Sequence, residues 1–355
     1  MAYDLQDLHK YGIPPLREGI STRRQWEEKR TRIYDQWIDY IGDISSHEKI
    51  AYTVVSVEKK SDHYRIKLTY TSPISDKVPA YILLPIVEGL LDTNFEGNTF
   101  DFSKLAHLEK LPAVLALHPT TPLGKDDISL SSGKENRKYA LELVRRGYVV
   151  LAPDTITAGE RVETEEQSYL TRPFYEEYPN WSAVAKMIVD HRQGIELLRH
   201  IGIVDLDRIG VIGHSLGGYN GYFLAGVDKR IKAVVCSCGL TTFSGDAETH
   251  RWGKRDWFTH IPKISDSIEK GEVSFEFNEI AALVAPTPFF VSVGLDDHIF
   301  PHWEPTVKAV EDLHQLYKWL DNQGKFVSYI GNFGHDFPKE MRYLAYDFLD
   351  QWLLK

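Results

Sequence analysis

The sequence predicts an α/β protein built on a mostly parallel sheet with helices on both faces. Three observations carry this. Short, strongly apolar runs that suit strands buried on both faces alternate with longer amphipathic runs of helical period in the second two thirds of the chain. A block of alternating strand-like segments precedes them, over residues 51–86. The run from Asp207 to Tyr219 reads as strand, sharp turn and helix, with Gly213-His214-Ser215-Leu216-Gly217 at the turn.

The chain has 355 residues, enough for one large domain with insertions, and 43% hydrophobic residues supply a packed core. Its net charge of −10 argues against a nucleic-acid binder or a protein of anionic membrane surfaces, and no apolar run approaches a membrane span. The first residues lack the basic and apolar regions of a signal peptide, so a cytoplasmic location is expected. Cys236 and Cys238 are the two cysteines and are expected to be buried free thiols.

In chain order, residues 1–20 read as a surface arm with Pro14-Pro15. Thr22 and Gln25 are spaced as a capping box at the start of a helix. Its Trp26, Ile33, Trp37, Tyr40 and Ile41 make an apolar stripe that the Arg30 stem completes. Residues 1–48 are therefore expected to form an arm and helix packed on a catalytic domain of residues 49–355. Strands are expected at 51–59 and 63–71 around Ser61-Asp62, and at 77–86. A surface insertion is expected at 87–110, and an apolar strand at 111–118 that breaks at Pro119. Then follow a helix at 136–146 stopped by Gly147, a strand at 148–152, a helix at 181–201 and the strand entering the turn at Ser215. A helix at 216–225 and a strand at 231–238 come next. The chain closes with a strand at 286–294, a helix at 302–320, a strand at 325–330 and a helix at 338–354. Two long aromatic-rich connections, near 155–181 and 240–284, are the expected lids. They carry Tyr169, Phe174, Tyr175, Tyr178 and Trp181 in one, and Trp252, Trp257 and Phe258 in the other.

Glycines two residues either side of Ser215 allow a tight, strained turn that exposes its hydroxyl above a helix N-terminus. A serine hydroxyl needs a base, and the base needs a group to orient it. Both should lie at the C-terminal ends of later strands. After the strand at 286–294 comes Asp296-Asp297. Asp297 is preferred as the acid, with Asp296 as the alternative. After the last strand comes His335, preceded by Gly334. The order Ser…Asp…His suits such a sheet. His214, His298 and His302 are poorer bases by position. For an oxyanion, the Leu216 N–H is one candidate donor. The second lies after the strand at 111–118, where Pro119 has no N–H, so Thr120 is preferred over Thr121.

With these residues in view, the chain resembles the α/β-hydrolase superfamily, and most of all its dienelactone-hydrolase-like and acetyl-xylan-esterase-like serine carboxylesterases. Beyond the triad the resemblance includes His118-Pro119-Thr120, Arg146-Gly147-Tyr148 through Asp154, Gly159-Glu160-Arg161, and Asp205 with Arg208-Ile209-Gly210 before the turn. Departures exist. Dienelactone hydrolases carry a cysteine where this chain has Ser215. Acetyl-xylan deacetylases carry Arg-Gly-Gln, glutamine and glutamate where His118-Pro119-Thr120, Leu216 and Asp336 stand. Prolyl-oligopeptidase-like peptidases resemble the catalytic half but bear a propeller. The resemblance implies a general carboxylesterase with a small-molecule ester as partner; the triad chemistry needs no metal or organic cofactor, the apolar lid suggests small or medium acyl esters, and assembly into a homo-oligomer stays open. Amide, peptide or thioester hydrolysis, or ligand binding without turnover, are the rival expectations. Asp154 is expected to fix a turn, and Glu160 and Arg161 to pair near the pocket rim.

Overall fold

The computed structural model describes residues 2–45, 49–74, 76–87, 100, 102–162 and 166–354. The expected insertion at 87–110 lies mostly outside them, as does the boundary at residue 48. Nine strands form one sheet: β1 (Tyr52–Lys59), β2 (His63–Ser72), β3 (Asp76–Pro85), β4 (Leu111–Leu117), β5 (Val149–Pro153), β6 (Val204–His214), β7 (Ile231–Ser237), β8 (Phe289–Gly294) and β9 (Phe326–Gly331). Their order is β9-β8-β7-β6-β4-β5-β3-β2-β1. The antiparallel pairs are β1–β2, β2–β3 and β3–β5; every later pair is parallel. This is the expected mixed sheet, and the chain has the α/β-hydrolase fold. The two central strands explain themselves: residues 112–117 of β4 and 209–214 of β6 are all buried, so no polar face is needed.

Helices α1 (Arg23–Ile41), α2 (Tyr139–Arg145), α3 (Ala183–His200), α4 (Leu216–Val227), α5 (Trp303–Trp319) and α6 (Lys339–Leu353) cover both faces. On one side α2 and α6 bury Leu143, Val144, Ala345 and Leu349 against Val114, Val150 and Ile212. On the other side α3, α4 and α5 bury Ile188, Phe223 and Leu313 with Leu115, Val211 and Val291. Successive residues of each strand serve opposite layers, as the period of two requires.

The capping box of α1 is formed, with Thr22 and Gln25 bonded reciprocally. Its stripe is buried, and Arg30 reaches the Leu283 carbonyl at 3.2 Å. The helix packs on two short helices, Pro262–Ile268 and Phe277–Ala282, inside the second long connection. Two expectations change. The first twenty residues are not a bare surface arm: Leu5–Tyr11 is helical, Leu5, Leu8 and Leu16 are buried, and Tyr3–Asp4 pairs with Glu272–Val273. Three leucines supply the apolar area that the polar composition obscures. β7 ends at Ser237, because Cys238 turns out of the strand at φ 44°. Cys236 and Cys238 are both buried and free. Among the described residues no helix is long and apolar enough to cross a membrane.

Candidate active site

Ser215 sits between β6 and α4 with φ 55° and ψ −117°, a region that side chains rarely occupy. Its N–H donates to the Ser237 carbonyl at 2.8 Å, which anchors the turn to β7. The flanking glycines are steric necessities. A Cβ on Gly213 would lie 2.1 Å from the Gly217 carbonyl carbon, and one on Gly217 would lie 1.9 Å from the Leu117 oxygen. Strand and helix can approach this closely only with hydrogens at both positions.

Asp297 and His335 stand on the loops after β8 and β9. These loops are tied together: the Leu295 N–H donates to the Gly331 carbonyl at 2.9 Å, and the Asp296 N–H to that of Phe333 at 3.1 Å. The His335 Nε2 lies 2.7 Å from the Ser215 Oγ, and its Nδ1 lies 2.7 Å from the Asp297 Oδ2. The other Asp297 oxygen accepts the N–H groups of Ile299 and Phe300 at 2.8 and 3.0 Å. Burial works against ionisation of Asp297. The hydrogen bond and charge of His335, with the two N–H donors, outweigh it and hold the carboxyl below its usual range. Asp296, the alternative acid, is exposed. His214 faces Ser237 at 3.1 Å and His302 faces Thr241 at 2.9 Å, so neither is directed at Ser215.

The two candidate oxyanion donors differ from their alternative in one respect. The Thr121 N–H donates to the Tyr169 hydroxyl at 2.9 Å. Among the described residues no protein group engages the N–H of Thr120 or of Leu216. Tyr169 also lies 3.2 Å from the Pro119 carbonyl oxygen, so it pins the loop that presents Thr120. His118 braces the same loop as a neutral ring. Burial lowers its pKa; its Nδ1 bonds to the Pro119 carbonyl at 2.8 Å, and its Nε2 accepts the Thr155 N–H at 3.0 Å.

Behind that loop, Asp154 is buried and accepts the N–H groups of Lys125 and Glu160 together with the Lys125 ammonium at 2.8 Å. It fixes the turn as expected. Glu160 and Arg161 do not pair with each other. Glu160 meets Lys125 and Lys67, and Arg161 meets Asp190 at 2.7 Å. Successive residues on a short 3₁₀ turn diverge, so each finds its own partner.

Ser215 and His335 open into a cleft of about 700 Å³. Trp252, Trp257 and Phe258 of the second connection line it. Tyr169, Phe174, Tyr175, Tyr178 and Trp181 of the first do not; Tyr169 and Tyr175 stand behind the wall and hold it, whereas Phe174, Tyr178 and Trp181 line other cavities. Thr171 accepts the Thr259 N–H at 3.0 Å, and the Tyr175 hydroxyl reaches the Thr259 carbonyl at 3.0 Å. Among the described residues none before Pro119 lines the cleft, so α1 supports the wall from outside. The cleft also holds residues that pattern reading did not single out: Tyr219, bonded to His260 at 2.7 Å, and the cations Lys134, Arg137, Arg251 and Arg255. Tyr219 falls one helical turn after Ser215, and that spacing alone could have marked it. The arginines give no comparable signal.

Similar proteins share this architecture. The chain is 24% identical over 318 residues to YtaP of Bacillus subtilis (strain 168), covering 88% of this chain and 96% of that one. A glucuronoyl esterase from Solibacter usitatus superposes with a TM-score of 0.67 at 15% identity, covering 95% of this chain and 97% of its own. Acetyl xylan esterase 1 from Thermoanaerobacterium sp. JW/SL YS485 superposes at 0.53 with 17% identity over 99% of both chains. These likenesses bear on the fold. The prolyl oligopeptidase family matches residues 140–353, more than half of the chain and the part that carries Ser215, Asp297 and His335, and the protein belongs to that family.

Proposed function

We propose that the protein is a serine carboxylesterase acting on small or medium acyl esters through an acyl-enzyme. The observation that carries this is the unbroken hydrogen-bond chain from Ser215 through His335 to a buried, ionised Asp297. His335 takes the hydroxyl proton as Ser215 attacks the ester carbonyl. Asp297 holds the ring in the productive tautomer and balances its charge. The N–H groups of Leu216 and Thr120 receive the oxyanion, helped by the N-terminus of α4. His335 then protonates the leaving alcohol, and water repeats the sequence on the acyl-enzyme. No step needs a metal or organic cofactor. The aromatic wall from 240–284, braced by 155–181, serves as the lid, and the 49–355 segment is the catalytic domain. Two free thiols accord with a cytoplasmic setting.

The family assignment favours a second reading, hydrolysis of an amide or peptide bond with the same three residues. Structural neighbours named as esterases, at TM-scores of 0.67 and 0.53, support the first. Hydrolysis of p-nitrophenyl esters from acetyl to long acyl chains, by wild type and Ser215→Ala, separates them. The expected result is turnover that falls at least about 10⁴-fold in the folded variant. Equal rates in the two proteins would remove Ser215 as nucleophile. Absence of turnover in both, with cleavage of peptide anilides, would favour the second reading, and binding without any turnover would favour a ligand-binding role.

A further inference from the structure

The whole chain has 51 acidic against 41 basic residues, yet the cleft at Ser215 is lined by Lys134, Arg137, Arg251 and Arg255 against one carboxylate, Glu248. Two of these cations are already compensated. Arg137 meets the buried Asp127 at 3.0 Å, and Arg251 meets Asp246 at 3.0 Å and Glu248 at 3.5 Å. Arg255 differs. Among the described residues no carboxylate lies within ion-pair distance of it. Its Nε donates to the Phe258 carbonyl at 3.3 Å, and its guanidinium lies over the Trp257 ring at 4.9 Å. Its terminal nitrogens donate to no protein acceptor among the described residues.

The backbone that carries this side chain is also held. The Arg255 N–H donates to the Thr259 hydroxyl at 3.1 Å, and Thr259 is itself bonded to Thr171. Burial is the main cause that lowers its pKa; the Arg251 charge adds to it, Tyr219 and the more distant Glu248 and Asp246 carboxylates partly offset it, and the guanidinium stays charged at neutral pH. A half-buried cation without a counter-ion is unfavourable, and a stacked, fixed guanidinium presents a planar fork matched to a carboxylate.

Resting on the esterase reading, we infer that the substrate is an ester bearing a free carboxylate away from the scissile carbonyl, and that the open edge of Arg255 binds that carboxylate while Ser215 attacks the ester. Lys134, which lines the cleft and has no ion pair among the described residues, adds a positive field that draws such a substrate inward.

The test compares the 4-nitrophenyl monoester of glutaric acid with 4-nitrophenyl pentanoate, a neutral ester of similar reach, after subtracting the rate of Ser215→Ala. The wild type should favour the anionic ester by about tenfold or more in kcat/KM, and the preference should weaken with salt. Arg255→Gln should reduce that preference about tenfold, chiefly through KM, and Arg255→Lys should restore part of it. A wild-type preference for the neutral ester, or a ratio unchanged in Arg255→Gln, overturns the inference while leaving the esterase reading standing. Should neither ester show Ser215-dependent turnover, the esterase reading fails instead. Calorimetric titration with glutarate then decides the anion site: binding lost in Arg255→Gln upholds it, and absence of binding to the wild type overturns it.

Discussion

The back and the front of the cleft are built by different physics. At the back, Ser215, Asp297 and His335 stand on three loops at one edge of the sheet, each following directly from a parallel strand. Neighbouring β8 and β9 are in register from Phe289↔Phe326 to Gly294↔Gly331, so their loops emerge side by side. The front wall has no such frame. Residues 248–260 contain only a short 3₁₀ turn and are held by bonds to a distant part of the chain, Thr171 and Tyr175. Backbone geometry positions the proposed triad, whereas tertiary hydrogen bonds position the wall proposed to select the substrate. The front is then the side that can change with least damage to the fold.

The sharpest way to break this contrast is at the back. Asp297→Asn should lower kcat about 10³- to 10⁴-fold, since the amide favours the wrong tautomer of His335. Asp296→Asn, next along the same loop but exposed, should change it by less than about threefold. Steady-state kinetics of both variants on one ester decide it. Equal losses would mean that the loop, and not the bond from His335 to Asp297, matters.

These two regions also divide what could be read beforehand. Gly213, Ser215 and Gly217 announce themselves because only glycine tolerates contacts of 1.9–2.1 Å, and such a demand leaves a local trace. Asp297 and His335 follow from the strands that precede them. Thr120 could be preferred over Thr121 only by its distance from Pro119. What separates the two in the fold is the Tyr169 hydroxyl, which arrives from 48 residues away and occupies the Thr121 N–H. Arg255 lies further from local inference still. Its lack of a counter-ion is a property of everything around it, and no spacing encodes that. The N-terminal arm escapes local inference for a related reason: Leu5, Leu8 and Leu16 are too sparse to suggest burial until Gly271, Ser244 and Asp312, all distant in sequence, bond to their backbone.

Tyr169 gives a prediction of intermediate size. Tyr169→Phe strands the Thr121 N–H in a buried place and frees the Pro119 carbonyl, at a cost of roughly 1–3 kcal/mol. The loop carrying Thr120 should loosen, so kcat should fall about tenfold with KM little changed. Thermal unfolding of the same sample separates the two effects. An unchanged kcat in a destabilised variant would detach Thr120 from oxyanion binding.

The smallest expected effect tests the interior common to both regions. Burial lowers the pKa of His118 and His191, and it does the same for His214 and His260, which flank the cleft. For His191 the folded value falls to about 3, against about 6.5 for an unfolded histidine. Between these values the unfolded chain binds the extra proton and the folded chain does not. Stability is therefore complete above about pH 6.5 and declines as the pH falls toward 3. Asp190, buried but ionised by Lys186 and Arg161, has a folded value of about 2. Its contribution persists above the ordinary aspartate value near 3.9 and is lost below it. Acid unfolding should therefore begin with the histidines and end with Asp190. Denaturant titrations from pH 5 to 8 should show His191→Gln with a slope shallower by about 1.4 kcal/mol per pH unit below pH 6. Activity must be followed in parallel, because the proposed site holds its own histidine, His335, and His191 is not among the residues that line that cleft. If the slope is unchanged, His191 takes up its proton without unfolding, and the interior behind the cleft is less closed to protons than its burial implies.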